Sequence, residues 1–509
     1  MQLMLARSMR SLETATVSSY IDFMRSHNLF ACELFYFERG IAKMMFNRVV
    51  TCPICSKRIF LRIQDGGYLN EYPVRFNCIN CRALIKGTYV MDSKTKKSGL
   101  YMENALAEEC NPDSVTLTIP NVDYVAEVSG ELPCNKVQEY KGGLPTSPFL
   151  HATDYIEDMQ AYIERLKYFN NNMEEWKAQK STAFQLLDDG SIDFISTALK
   201  NKMGEYSYEC DHYLKSLHCL QEVVLEETKY IFFGQSQDEY VDGIRKLLTQ
   251  IDKESLKLLI DGIGGVDELI HVYRKTIEVI SEFMTIYPNL LPAETYCLFK
   301  KKEGANNCIA TCSFNDIKTF YQDSYESLLS MLMIPVCLDN IIKRSDYQSF
   351  ATTYDDVYCS SKYIRNLRWY RGLDNGTRIN KLDESEEFQK LIALPANRLL
   401  RNGIGHNNIK YDSLSQTITA FDMKKKGKIN YQDSLMNVAI DCLGLAKTAV
   451  ILSEIILYLL RLEFRTEGIH SIIHPRFYKG AQPNDKCPCG SGVKYKKCCK
   501  SDVEKVMRS

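Results

Sequence analysis

The chain has 509 residues, 45% of them hydrophobic and 25% charged, which are ordinary values for a globular protein. That length allows about three domains and a sizeable core, so wholesale disorder and fibrous repeats are excluded. Lys+Arg (63) and Asp+Glu (64) nearly cancel to a net charge of -1, which excludes a uniformly basic nucleic-acid coat.

Residues 1–45 read as an amphipathic helical segment. Arg7 and Arg10 precede SLETATVSSYIDF, which lacks the continuous apolar run of an export signal, so the expectation is a soluble, cytoplasmic protein. Residues 46–140 follow as a cysteine-bearing β region. Short β-type runs at Arg58–Ile63 and Ala83–Met91 come after each cysteine pair, and the alternation from Ser114 suggests a further strand or two. KGGLPTSP at 141–148 is a linker candidate.

Residues 150–345 space their apolar side chains at three and four, the pattern of amphipathic helices, and suggest no chemistry. Residues 353–465 are helical again: a helix over Ser385–Asn402, a small hairpin or irregular loop, then a nearly all-apolar helix over 433–462. Lys447, Glu454 and Arg461 interrupt that last helix, so it reads as buried in a bundle or at a subunit contact, with no membrane span. A cysteine module closes the chain at 484–502.

Charge and cysteine are both unevenly distributed. Residues 43–97 hold eleven Lys/Arg against three Asp/Glu, and residues 476–509 hold nine against three, which leaves an acidic remainder. Of nineteen cysteines, eight fall into these two basic stretches. The first set is Cys52-x2-Cys55 and Cys78-x2-Cys81, twenty-two residues apart. Two such pairs supply the four thiolates of a closed tetrahedral zinc site, which is structural because no position stays open. Four thiolates on Zn²⁺ carry a net -2, so the module stays basic but less so than its letters. The arrangement resembles a zinc ribbon, with Ser56 and Arg82 where many ribbons place glycine. It reads as a folding staple, or as a staple that also presents Lys57, Arg58, Arg62, Arg75, Arg82 and Lys86 to RNA or a partner.

The second set is Cys487, Cys489, Cys498 and Cys499, in CPCGSGVKYKKCC, a fragment too small to hold a core without metal. It resembles the SEC-C motif through Pro488, Gly490, Ser491, Gly492, Lys494, Tyr495 and Lys497. That motif is known from the tail of the bacterial preprotein translocase ATPase, and the resemblance implies docking of a ribosome or protein partner. The implied cofactors are two structural zinc ions and no catalytic metal. Cys297, Cys308 and Cys312 lack a four-ligand pattern and read as packing.

The candidate chemistry is in ANRLLRNGIGHNNIKYD, where Arg401-Asn402 precedes His406. A histidine near its ordinary pKa of ~6.5 exchanges protons at neutral pH, and could take one from a ribose 2′-OH or give one to the leaving 5′-oxygen. Arginine stays charged and can make two hydrogen bonds to phosphate. Five residues apart on an ideal helix, Arg401 and His406 would face apart by about 140°, so Gly403 and Gly405 are expected to end the helix and let His406 fold back. Arg398, one turn earlier, either lines the same cleft or faces solvent, the latter being favoured.

In its helical setting this segment resembles the HEPN family of helical ribonucleases. The resemblance implies a mainly α, multidomain protein with a HEPN-like bundle over 353–465 and two small zinc modules. It further implies metal-independent RNA cleavage with catalytic Arg401, Asn402 and His406, a cyclic phosphate product, and a homodimer using the long apolar helix. Bacterial defence or a stress response is the implied setting. The alternative reading is a non-catalytic zinc adaptor that binds RNA or a protein.

Overall fold

The computed structural model describes residues 35–508 except 38–40, 66–67, 93, 96, 111–118, 143–148, 150–154, 200–211, 233–242, 245, 249, 301–307, 351–365, 375–377, 380, 382–387, 389–391, 393, 396, 423, 426, 467–477, 479 and 489–490. The chain divides into two units. Unit 1 comprises residues 1–159, 291–313 and 412–416, and unit 2 comprises 160–290, 314–411 and 417–509.

Unit 1 is built on sheets. β1 (Phe35–Phe37), β2 (Ile41–Thr51) and β3 (Arg58–Asp65) form consecutive antiparallel pairs. β4 (Glu71–Asn77), β5 (Leu84–Met91) and β6 (Ser98–Met102) make a separate three-stranded antiparallel sheet. β7 (Leu106–Glu109) returns to β2, β8 (Tyr124–Val128) lies parallel to β3, and β9 (Gln138–Glu139) closes the six-stranded sheet. β3 is central in that sheet, and its residues from Ile59 to Asp65 are all buried. Arg62 is among them and faces Glu127 on β8 at 3.5 Å, with Asn135 donating to the same carboxylate at 2.7 Å. Burial pulls the Arg62 guanidinium down to about 10, while Glu127 opposes that pull.

The helices are α1 (Met159–Gln179), α2 (Tyr213–Phe232), α3 (Lys253–Ile263), α4 (Gly265–Ile286), α5 (Leu291–Cys297), α6 (Phe314–Met331), α7 (Met333–Arg344), α8 (Leu367–Arg371), α9 (Arg398–Gly405), α10 (Leu435–Thr466) and α11 (Lys500–Arg508). α5 belongs to unit 1, as does the first residue of α1, and the rest belong to unit 2. α2, α4, α6 and α10 pack together, with α10 in contact with the other three. Tyr273, Phe283, Ile455, Ile456 and Leu459 are fully buried there. Gln221 donates to Ser453 at 3.0 Å and accepts from Tyr273 at 3.0 Å, tying α2, α10 and α4. Arg461 donates Nε to His218 Nε2 at 2.7 Å, and burial, then Arg461, hold His218 well below its ordinary value, so it accepts as the neutral ring.

Three expectations change. The fold is not mainly α: the described residues carry twelve strands in three sheets, and unit 2 adds β10 (Ile409–Asp412), β11 (Thr417–Phe421) and β12 (Ile429–Ser434). Residues 35–37 and 41–45, expected to be helical, are strand, because β2 is held along eight residues by β3 and along four by β7. Residues 1–34 lie outside the described residues. Most of the helix expected over 385–402 also lies outside them, but Pro395 and Asn397 are not helical and α9 starts afresh at Arg398. The Asn397 side chain fixes that start by accepting from the Leu399 and Leu400 amides, both at 3.0 Å. α10 is buried almost throughout by its own chain, which is the bundle burial expected of it as one of two readings.

Candidate functional site

The two C-x2-C pairs occupy matching turns. Cys52–Lys57 links β2 to β3, and Cys78–Ala83 links β4 to β5, so the pairs come from hairpins of different sheets. Both turns use one hydrogen-bond scheme. The Cys52 amide donates to Lys57 O (2.9 Å) and the Cys78 amide to Ala83 O (2.9 Å), while Ser56 and Arg82 donate back to Cys52 O (3.0 Å) and Cys78 O (2.8 Å). Ser56 (φ 58°) and Arg82 (φ 64°) are left-handed, which is why glycine is common at such places.

The four sulfurs lie within 4.8 Å of one another. Cys52 and Cys81 are 3.5 Å apart and Cys55 and Cys78 3.6 Å. Tetrahedral zinc with ~2.3 Å bonds needs sulfurs about 3.8 Å apart, so the donor set fits the ion. An Asn80 hydrogen bond draws the Cys55 thiol down to about 6, whereas burial pushes Cys78 up to about 12.

The cations expected to face outward from this module mostly face carboxylates of unit 1. Lys57 meets Asp123 at 2.7 Å, Arg58 meets Glu108 at 3.1 Å, Arg82 meets Asp412 at 3.1 Å, and Lys86 reaches Glu103 at 3.8 Å. Arg62 is buried against Glu127. Lys94 and Lys97, in the β5–β6 turn, have no ion pair among the described residues.

In the C-terminal module Cys487, Cys498 and Cys499 converge, with Cys498 and Cys499 sulfurs 3.7 Å apart. Cys489 lies outside the described residues. Lys486 and Lys494 are direct partners in an antiparallel bridge. The Cys487 amide donates to Val493 O at 2.8 Å, and Tyr495 stacks on Tyr478 at 5.5 Å. Lys486, Lys494, Lys496 and Lys497 are all exposed, and among the described residues none has an ion pair.

α9 carries Arg401 and Asn402, with His406 capping its C-terminus. The helix ends at Gly405, as expected, and the left-handed residue beyond it is Asn407 (φ 51°), whose amide donates to Ile404 O (3.0 Å) while that of Asn408 donates to Gly403 O (2.8 Å). Gly403 serves packing instead, since a Cβ there would lie 2.6 Å from the Ala420 Cβ. Arg401 donates Nη1 to Asn402 at 3.0 Å and Nε to Glu326 on α6. Sequence reasoning missed Glu326, one charged residue 75 positions earlier on an amphipathic helix. Beside it Tyr325 is fully buried, and its hydroxyl finds no hydrogen-bond partner among the described residues. Burial raises that hydroxyl above its usual value; Glu326 adds to the effect, and Arg401 and Arg398 oppose it.

The structure thus joins Arg401 and Asn402. His406 is exposed, and its ring makes no hydrogen bond among the described residues, to Arg401 or otherwise. Arg398 is exposed, as expected. Cys308 and Cys312 are buried and belong to no metal-ligand group among the described residues.

Residues 484–501 match the SEC-C motif, a zinc-binding motif, and the converging cysteines there are compatible with a zinc module. No curated protein and no solved structure matches the chain.

Proposed function

We propose that this chain is a metal-independent endoribonuclease whose two cysteine modules hold structural zinc. The observation that carries it is an exposed, unengaged His406 at the end of the short helix that presents the Arg401–Asn402 pair. In this reading His406 takes the ribose 2′-OH proton, the 2′-oxygen attacks phosphorus, and the bond to the 5′-oxygen breaks as that oxygen takes a proton from water, which yields a 2′,3′-cyclic phosphate and a 5′-hydroxyl. Arg401 turns from Glu326 to the phosphate and counters the charge that builds there. Asn402 orients the scissile group. Zn²⁺ enters no step, because Cys52, Cys55, Cys78 and Cys81 fill one ion's coordination and Cys487, Cys489, Cys498 and Cys499 the other's. A homodimer would use the exposed end of α9, including Leu399 at 40% exposure, and not α10.

The test is cleavage of total cellular RNA in EDTA by the wild type and by His406→Ala, with bound zinc measured afterwards. The expected result is cyclic-phosphate ends from the wild type and at least a 100-fold loss in the variant. Equal cleavage by both sinks the reading. A second reading, an RNA- or protein-binding adaptor, is favoured by the Arg401–Glu326 pair, which already neutralises the arginine, and by the four uncommitted lysines of the C-terminal module. Zinc-loaded, folded protein that binds RNA without cutting it would select the adaptor.

A further inference from the structure

The three-stranded sheet of β4, β5 and β6 turns one face into unit 1 and the other to solvent. Tyr72, Val74, Phe76, Ile85 and Tyr89 are buried on the inner face, where Tyr89 and Ser98 both donate to Asp65, Ser98 at 2.6 Å. Alternation along the strands then places Pro73, Thr88, Val90, Gly99 and Tyr101 on the outer face. The register sets them in rows: Pro73, Thr88 and Tyr101 lie side by side, and Val90 is opposite Gly99. All of these residues belong to unit 1.

Tyr101 is 68% exposed, and its hydroxyl makes no hydrogen bond among the described residues. The ring is nevertheless held. A Cβ on Gly99 would lie 3.5 Å from Tyr101 Cε2 and 3.7 Å from its Oη, so the ring leans back along β6 into the space that glycine leaves. Its outer side stays open to solvent. Such a ring is a rigid, flat surface with little freedom left to lose on binding.

Two lysines stand beside it. Lys97 precedes Tyr101 by four residues on the same face, about 13 Å along the strand, and Lys94 lies in the adjoining turn. Both are exposed, and neither has an ion pair among the described residues. The nearby acids are engaged: Asp92 accepts from the Lys94 and Thr95 amides at 2.8 and 3.1 Å, and Glu103 faces Lys86 at 3.8 Å. Glu71 is on β4, two strands from Tyr101 and about 10 Å away. With Gly99, Thr88 and Pro73 around the ring, the face lacks the contiguous apolar patch that docks a protein. An open aromatic ring with unpaired cations in reach suits instead an unpaired base, which stacks on the ring while its flanking phosphates meet the lysines.

We propose that Tyr101 is a stacking platform for an unpaired base of single-stranded RNA, with Lys94 and Lys97 on the flanking phosphates. The face binds and does no chemistry. A duplex keeps its bases stacked on one another and cannot use it. The choice of RNA rests on the nuclease reading, but the stacking geometry does not.

The test is binding of labelled octauridine to the full-length protein, read by fluorescence anisotropy. The protein carries His406→Ala, so that the strand stays whole, and Lys494→Ala, Lys496→Ala and Lys497→Ala, so that the C-terminal module does not carry the signal. In that background Tyr101→Ala should weaken binding about tenfold, the size of one lost base–aromatic stack, and Tyr101→Phe should stay within about twofold. Gly99→Val fills the space that holds the ring and should also weaken binding, with the salt dependence unchanged. Lys94→Ala with Lys97→Ala should shrink the slope of log K against log salt by about 1.4, at ~0.7 per phosphate contact. None of these side chains holds the fold, so zinc content should not change. Unchanged affinity in Tyr101→Ala overturns the platform, and so does Tyr101→Leu that binds like the parent protein, since leucine offers apolar contact without a ring. Tighter binding of duplex RNA or of octathymidine overturns the assignment to single-stranded RNA. Cleavage by protein with His406 intact decides the nuclease reading separately, and the binding result stands with or without it.

Discussion

The two cysteine modules look alike as letters, both basic and both rich in thiols, yet they differ in what surrounds the metal. The ribbon's cysteines join hairpins of two sheets, and its nearest cations are met by Asp123, Glu108, Glu127, Asp412 and Glu103. The C-terminal module has one isolated bridge, a single turn and α11, and it leaves Lys486, Lys494, Lys496 and Lys497 without ion pairs among the described residues. Lys486 and Lys494 even face each other across the bridge, an arrangement that costs stability unless an anion lies between them. Local charge therefore says little about partners until the acids that meet it are known. The ribbon's charge belongs largely to its own fold, and the C-terminal charge is available to something else.

The largest expected difference is in metal removal. Among the described residues the C-terminal module has little core beyond Tyr478, Tyr495 and Val503, so a metal held there would supply most of its folding free energy, on the order of 10 kcal/mol. Chelation or Cys498→Ser should bring the amides of residues 484–508 to unprotected exchange rates. The ribbon keeps two paired sheets, so the same treatment should lower its melting temperature and leave β2, β3 and β8 protected. Equal collapse of both would break the contrast.

Next in size is the buried pair of the ribbon unit. Arg62→Met strands the Glu127 carboxylate in the core, and about 3–5 kcal/mol should be lost in urea unfolding. Adding Glu127→Leu removes the stranded charge and should restore most of it. If the single variant unfolds like the wild type, Arg62 is not the internal cation described here.

Cysteine spacing made both metal modules legible, because coordination geometry permits few alternatives once two C-x2-C pairs or a CPC…CC string is present. The left-handed conformation of Ser56 and Arg82, where many ribbons place glycine, was not read from the sequence. The sheet content was not. β2 (IAKMMFNRVVT) carries no strict alternation, and its state is decided by partners at Arg58–Asp65 and Leu106–Glu109. Around α9, RN-x3-H was readable as a pattern, but Glu326 acts from 75 residues upstream of Arg401. No local signal encodes such pairings. The long apolar helix was legible as buried in a bundle or at a subunit contact, and it is its own chain that buries it.

The smallest effect in stability terms is the one that most sharpens the comparison. Replacing Lys494, Lys496 and Lys497 with alanine removes exposed side chains that hold nothing, so the melting temperature should not fall. If the C-terminal module meets RNA phosphates, affinity should fall and the slope of log K against log salt should shrink by about 2, at ~0.7 per contact for single strands. The matched ribbon triple, Lys57, Arg58 and Lys86 to alanine, removes charges that already face carboxylates. Its salt slope should match the wild type, and the Arg58 change should cost under about 1 kcal/mol. Equal slopes in both triples would mean that RNA does not distinguish paired from unpaired cations here. A loss confined to the ribbon triple would mean that its carboxylates yield to phosphate on binding, and the two modules would exchange roles.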